Sequence, residues 1–592
     1  MHARMRTALL FLGSVLAGAC GRDGRARSIL LVTLDTTRAD RLGCYGRENA
    51  GTPVLDALAA RGARFERAYT TAPITLPAHA SILTGSTPPH HGLRDNGINA
   101  LGAEVETLAE TCARAGRRTA ACVSGFPVSR LFGLDQGFEH YDDRLEEERA
   151  APGAFLERRA DATVARAREW LGTLAPDESF LLWVHLFDPH EPHAAPEEFE
   201  RRFPDDPYQA EIAFVDHELG ELLGELERLA RSADTLVVVT ADHGESLGEH
   251  GETTHGLQLY DATLRVPLLF AGPGVVPRAL SAPVSLVDLA ATVVELAEIE
   301  DGGEFSRHSG RSLAALLQGE AGLEPEHSAY FETCYPRLHY GWSELVGITR
   351  GDWKYVEAPA ALDPDGRVRS ELHRPVADRG ELVDLAQREP ERVQALAREL
   401  GAQRRSLEAN AAPWQPHVPT EKEAEALAAL GYGGADVTAE LPGASVVSPP
   451  APDPRRVIGC VPLFEAVQMQ SASGAFEAAA RSLQRLEALA PGAILLHEAR
   501  GDYFLARGRG GERADIERAA EEFAAAIALK PERRGLWLRR SEALERLGRL
   551  AEALECIDRA LALAPPNARF QAERENMRQR VEASRAAGGD GG

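Results

Sequence analysis

At 592 residues the chain is longer than one hydrophobic core usually serves, so two or more domains are expected. Hydrophobic residues at 44% and charged ones at 26% exclude a disordered or membrane-embedded chain. Asp plus Glu outnumber Lys plus Arg by 90 to 65, a net charge of −25, which excludes nucleic acid as a partner because binding to its backbone is driven by cationic side chains.

His2, Arg4 and Arg6 precede an apolar run from Thr7 to Ala19 and then Cys20, which reads as an export signal over residues 1–20. Leu16, Ala17, Gly18 and Ala19 before Cys20 resemble a bacterial lipoprotein signal, with a plain cleaved signal or an uncleaved anchor as the alternatives. The expectation is an exported periplasmic or cell-envelope lipoprotein whose only membrane contact is an N-terminal lipid anchor. Cys44, Cys112, Cys122, Cys334, Cys460 and Cys556 lack paired spacing, so buried free thiols are expected rather than disulfides or a zinc finger.

From Ser28 short apolar runs alternate with helical patterns, as in βαβ units around a mainly parallel sheet. Strands are expected at Ile29–Leu34, Phe180–Phe187 and Thr235–Thr240, ending beside Asp35, Asp188 and Asp242. Ligands gather at the carboxyl ends of strands in open α/β sheets, so the three carboxylates could share one rim. Helices are expected at Pro53–Arg61, Glu106–Ala115, Leu156–Leu171 and Gln209–Leu229. Residues 435–456 are rich in Pro, Gly, Ala and Ser and read as a linker isolating two cores, one at 27–434 and one at 457–585.

Beyond the linker, Pro531 and Pro565 stand 34 residues apart, and Ala519, Phe523 and Ala526 recur as Ala553, Ile557 and Ala560. Ala479, Leu483 and Pro491 form a weaker copy, displaced by a six-residue insertion near Gly508–Gly511. This is the tetratricopeptide period, which predicts stacked helix pairs and a protein or peptide partner.

The segment Ala72–Gly97 carries Thr75, Pro77, His79, Gly85, Gly92 and Asn96. Thr75 can cap a helix running to Thr84, with Pro77 in its first turn and Gly85 at its end. The segment resembles the nucleophile region of sulfatases, with Thr75, Pro77 and His79 in the Cys, Pro and Arg places. Thr cannot be oxidised to formylglycine, the form the Cys takes in that family, so the resemblance implies an unmodified hydroxyl. Asn96 resembles the phosphoryl-binding Asn of nucleotide pyrophosphatase/phosphodiesterases in the same superfamily. Leu31–Gly46, with Asp35 and Thr36, and Thr240–Gly251, with Asp242 and His243, resemble the two sulfatase metal motifs. A site of Asp35, Thr75, Asp242 and His243 suits zinc or manganese, with calcium as the alternative.

His185, Asp188, His190 and His193 lie in H-L-F-D-P-H-E-P-H, similar to the sulfatase segment whose His contacts the ester, and His255 falls near a substrate-binding position. Asp188, one of His185, His190 and His193, and His255 would complete a second metal site or an anion clamp. Trp353–Tyr355 and Glu381–Leu385 resemble the C-terminal sulfatase signature, and Tyr335, Arg337, His339, Tyr340 and Trp342 could line the pocket. The resemblance implies an α/β alkaline-phosphatase-like fold followed by an all-α repeat domain. It further implies a hydrolase with one or two divalent ions, in which Thr75 attacks a sulfate or phosphate ester on a small molecule, glycan or lipid. His79, Asn96, His190 and His255 would serve catalysis or substrate binding. The alternatives are a phosphodiesterase or phosphotransferase, similar to the phosphoethanolamine transferases, and an inactive repeat scaffold.

Overall fold

The computed structural model describes residues 26–97, 99–145, 157–300, 305, 310–320, 328–413, 415–416, 423, 450–563 and 574–583. The signal at 1–20 and most of the linker lie outside the described residues. Fourteen strands are assigned among them. They are β1 (Ser28–Leu34), β2 (Ala63–Tyr69), β3 (Asn99–Ala100), β4 (Arg118–Val123), β5 (His140–Asp142), β6 (Phe180–Leu186) and β7 (Thr235–Ala241). They continue with β8 (Arg265–Ala271), β9 (Arg278–Ser285), β10 (Tyr330–Thr333), β11 (Leu345–Arg350), β12 (Trp353–Leu362), β13 (Val368–His373) and β14 (Gln415–Pro416).

Eight strands form the main sheet in the order β5-β4-β6-β1-β7-β8-β2-β9. All its neighbours pair in parallel except β8, which runs antiparallel to β7 and β2. β1, β6 and β7 are buried along their whole length, as a sheet covered on both faces requires. The sheet is thus α/β and mainly parallel, and β1, β6 and β7 end close to their expected residues.

Helices cover both faces. Pro53–Arg61 falls where the sequence puts it; Leu108–Arg114, Ala160–Leu171 and Pro207–Arg228 match the other three within a few residues. Thr107 caps the second of these with a capping box, its side chain accepting from Glu110 N while Glu110 returns to Thr107 N. β10 to β13 form a separate antiparallel sheet in sequence order. All six predicted thiols are free; five are buried and Cys44 is half-buried. Among the described residues no helix is long and apolar enough to cross a membrane.

Among the described residues the C-terminal region holds three helix pairs, with a further helical segment at 574–583. The first helices are Cys460–Ala472, Ile494–Arg507 and Arg534–Arg546, and the second ones Phe476–Leu489, Arg513–Leu529 and Leu550–Ala562. The repeat residues Ala479, Ala519, Phe523, Ala526, Ala553 and Ala560 are all buried between helices. Gly501 shows why small residues recur: a Cβ there would lie 2.5 Å from the Phe523 ring. The predicted insertion appears as an extra turn at Gly508–Gly510.

The expectation of isolated cores does not hold. One hydrophobic cluster runs from Leu76, Trp183 and Leu289 through Tyr335 and Trp342 into Ile458, Leu463, Leu486 and Ala499. Pro454–Val457 is a helical turn, and Arg455, whose side chain is 4% exposed, donates to Val356 O and Arg369 O. The sequence reading missed this because linker composition predicts local backbone freedom and says nothing about the surface the next element covers.

Candidate active site

The side-chain alternation of the sheet assembles the site. Along β1, Ile29 and Leu31 face the same core as Leu181 and Trp183 on β6 and Leu236 and Val238 on β7. Continuing that parity carries Asp35, His185 and Asp242 to one side of the sheet's carboxyl edge. Asp188 has the other parity. Its carboxylate accepts Ala160 N at 3.0 Å, among Glu157 and Glu211, so it does not share the rim with Asp35 and Asp242. His193 packs against Tyr208, with ring centroids 5.5 Å apart.

Asp35, Asp242 and His243 offer ligand atoms within 4.8 Å of one another, the one such group of three among the described residues. The second metal site expected from Asp188, His193 and His255 is therefore not assembled. Thr75 Oγ1 lies 3.4 Å from His243 Nε2. His243 Nδ1 faces Gly244 O at 3.0 Å and must donate to it, which leaves the Nε2 lone pair aimed toward Thr75 and the carboxylates. Both oxygens of Asp35, Asp242 Oδ2 and His185 Nε2 are buried without a hydrogen-bond partner. Such orphaned acceptors fit a cation, and two carboxylates with imidazole and a hydroxyl are a donor set for one divalent ion. Burial pushes both carboxyls up to about 7, and the charge of Asp35 adds to the effect on Asp242.

Thr75 is the first residue of the helix Thr75–Thr84, not its cap. Ile74 holds the cap position with extended backbone, and the helix has no side-chain cap bond. The Thr75 hydroxyl is consequently not spent on the helix. Gly85 ends the helix in the left-handed conformation, with its N–H on Ser81 O, as expected. Asn96 Oδ1 accepts Leu76 N at 2.8 Å while its Nδ2 has no partner, so the amide presents free donors beside Thr75.

His79 is fully buried one turn below Thr75. Its Nδ1 donates to Thr75 O at 2.8 Å, and Nε2 meets Thr33 Oγ1 at 3.0 Å. Burial depresses this imidazole to about 3, so it is neutral and cannot supply the positive charge of the Arg it replaces. His190 stacks on Phe187 and stands edge-on to His255, whose ring is 4.4 Å from that of His243. His190 and His255 thus join the site, while Asp188 and His193 do not.

Two features were not assigned from sequence, and a third stands elsewhere than expected. His185, expected with the second metal cluster, has its Nε2 3.4 Å from Asp35 Oδ2, and strand parity was the available signal. Buried Glu245 holds His255 Nδ1 at 3.2 Å, and it stands within the Thr240–Gly251 motif. Asp95, next to Asn96, accepts from His339 Nε2 at 2.6 Å, a pairing over 244 residues with no local signature.

Residues 27–299 match the sulfatase family and residues 535–567 the tetratricopeptide repeat. The choline-sulfatase of Rhizobium meliloti is 29% identical over 440 residues, covering 61% of this chain and 82% of the relative. Human arylsulfatase A is 26% identical over 386 residues, 56% of this chain and 74% of that protein. In fold, the crystal structure of the phosphonate monoester hydrolase of Agrobacterium radiobacter matches with a TM-score of 0.54 at 20% identity, covering 64% of this chain and 96% of that one. Residues 27–299 thus form a sulfatase-family domain with the alkaline-phosphatase type of fold, tetratricopeptide repeats follow toward the C-terminus, and the activity class is that of a hydrolase of sulfate ester bonds.

Proposed function

We propose that Thr75 is the nucleophile of this hydrolase and that Asp35, Asp242 and His243, with the Thr75 oxygen, hold one divalent cation, zinc or manganese. The observation that carries this reading is the Thr75 hydroxyl 3.4 Å from the His243 lone pair, beside two buried carboxylates with orphaned oxygens. When bound, the cation would withdraw charge from the ester oxygens and favour the alkoxide form of the hydroxyl. Thr75 Oγ1 forms the new bond to the central sulfur as the bond to the leaving oxygen breaks; the hydroxyl gives up its proton to water, and the departing alkoxide takes one from water to leave as the alcohol. Asn96 Nδ2 donates to a nonbridging oxygen as charge builds there. His190 and His255 flank the leaving group. Water then cleaves the threonine ester, releasing sulfate and restoring the hydroxyl.

The substrate is a sulfate monoester of a small molecule or glycan. The repeats favour a protein or peptide partner, and residues 1–20 favour an exported lipoprotein, which a lipid mass shift on Cys20 would test. The discriminating experiment assays the purified protein, loaded with zinc or manganese, on aryl sulfate, phosphate monoester, phosphodiester and phosphonate monoester. Highest kcat/KM on sulfate is expected; preference for a phosphorus ester would overturn the substrate assignment.

A further inference from the structure

The helix Tyr335–Tyr340 forms one wall of the site. Its His339 reaches Asp95 beside Asn96, and Tyr335 stacks on His339 with centroids 3.9 Å apart. The Tyr335 ring also packs near Gly256, next to His255: a Cβ on Gly256 would be in van der Waals contact with it at 3.6 Å. Thr333, just before this helix, donates from Oγ1 to Gly256 O. The wall therefore touches both the Asn96 loop and the His255 loop.

The outer side of the same helix rests on the repeat array. Lys530, in the turn between the second and third pairs, donates from Nζ to Arg337 O at 3.0 Å and Leu338 O at 3.3 Å. A cation on the last carbonyls of a helix matches the dipole and adds a donor to Leu338 O, while Arg337 O also accepts Gly341 N at 3.2 Å. Tyr340 sits among Glu465, Glu498 and Arg533, contributed by the first helices and the turn before the third. Ser343 N donates to Pro452 O at 2.8 Å. A Cβ on Gly251, in the stretch that follows the Asp242 and His243 motif, would meet Ile458 Cγ2 at 3.2 Å. The array and the segment leading into it thus touch both the helix Tyr335–Tyr340 and the stretch that carries Gly251.

We infer that the repeat array is a positioning element of the hydrolase: its face binds this chain's own segment 335–342, and Lys530 holds the helix carrying Tyr335 and His339 over the Thr75 pocket. The placement of the pocket rests on the reading above; the docking itself does not. Because Tyr335 and His339 border the bound ester rather than the reacting bond, loosening them acts on substrate binding more than on turnover. It also follows that this face is closed to a second protein, so any partner uses other surfaces of the repeats.

The test is Lys530→Met in the full chain, which keeps the aliphatic stem and removes the ammonium, with Lys530→Arg as the conservative variant. Amide hydrogen exchange in 335–342 should speed up about tenfold in Lys530→Met, and KM for 4-nitrophenyl sulfate should rise about tenfold with kcat within about threefold. Lys530→Arg should restore both. Unchanged exchange overturns the docking role, and faster exchange with unchanged KM overturns the positioning role. If the wild type turns over only a phosphorus ester, the substrate reading fails while that ester serves for KM. If it turns over none, exchange of 335–342 with and without inorganic sulfate decides instead: sulfate protection present in wild type and lost in Lys530→Met supports the inference, and equal protection overturns it.

Discussion

Asp242 Oδ1 accepts the backbone N–H of Thr36 at 3.2 Å, and this bond joins the ends of β1 and β7. Thr36 holds a left-handed φ of 51° to make it, a conformation that a β-branched residue adopts only where the surroundings enforce it. With Oδ1 also accepting His243 N, Oδ2 is left toward the cluster without a hydrogen bond.

From this arrangement Asp242→Ala and His243→Ala are each expected to lose the bound cation and most activity, since removing a ligand leaves the ion under-coordinated. Metal analysis after gel filtration checks it, and full occupancy in either variant would remove both residues from the ligand set.

The same carboxyl sets a pH dependence. In the cation-free folded chain Asp242 keeps its proton up to about 7, while its ordinary value is 3.8. The folded state binds more protons in that window, so this group's stabilising contribution is lost as pH rises from 4 to 7. In chelator, the melting temperature of Asp242→Asn minus that of wild type should therefore increase from pH 5 to pH 7.5, by roughly 3 °C or more. Zinc or manganese should raise the wild-type value at pH 7.5 and leave Asp242→Asn unmoved.

Thr75→Ala should lower kcat by at least ~10³-fold, by comparison with other activated nucleophiles. Mass spectrometry of the peptide spanning residues 72–94 should show unmodified Thr, because its side chain cannot form the aldehyde. Near-normal turnover in Thr75→Ala would instead assign the attack to water.

Asn96→Ala removes the free Nδ2 donor and should reduce kcat about 10²-fold, the usual effect of losing one donor to developing charge. A rise in KM alone would limit Asn96 to holding Leu76 N.

Gly501→Ala should destabilise the repeats by about 1–3 kcal/mol, because the added methyl overlaps the Phe523 ring in a packed core. Removing residues 450–592 altogether should yield an aggregating protein, since it uncovers Tyr340, Trp342 and their neighbours in the shared cluster. Thermal unfolding and light scattering read these outcomes.

The sequence by itself determined the mainly parallel character of the sheet, three of its strands, the repeat register and the strand-end positions of Asp35, Asp242 and His243, because apolar periodicity and strand-end motifs are local properties. Only the tertiary structure decided that Asp188 and His193 stand apart while His185 and Glu245 join. A single residue of strand parity sends Asp188 to the far face, and motif reading does not count faces. Likewise the pairing of Asp95 with His339, and the docking of Lys530 on Arg337 and Leu338, join positions separated by 244 and by 193 and 192 residues. Their contact depends on how two sheets and a helical stack pack together, a property of the assembled core that no local pattern carries.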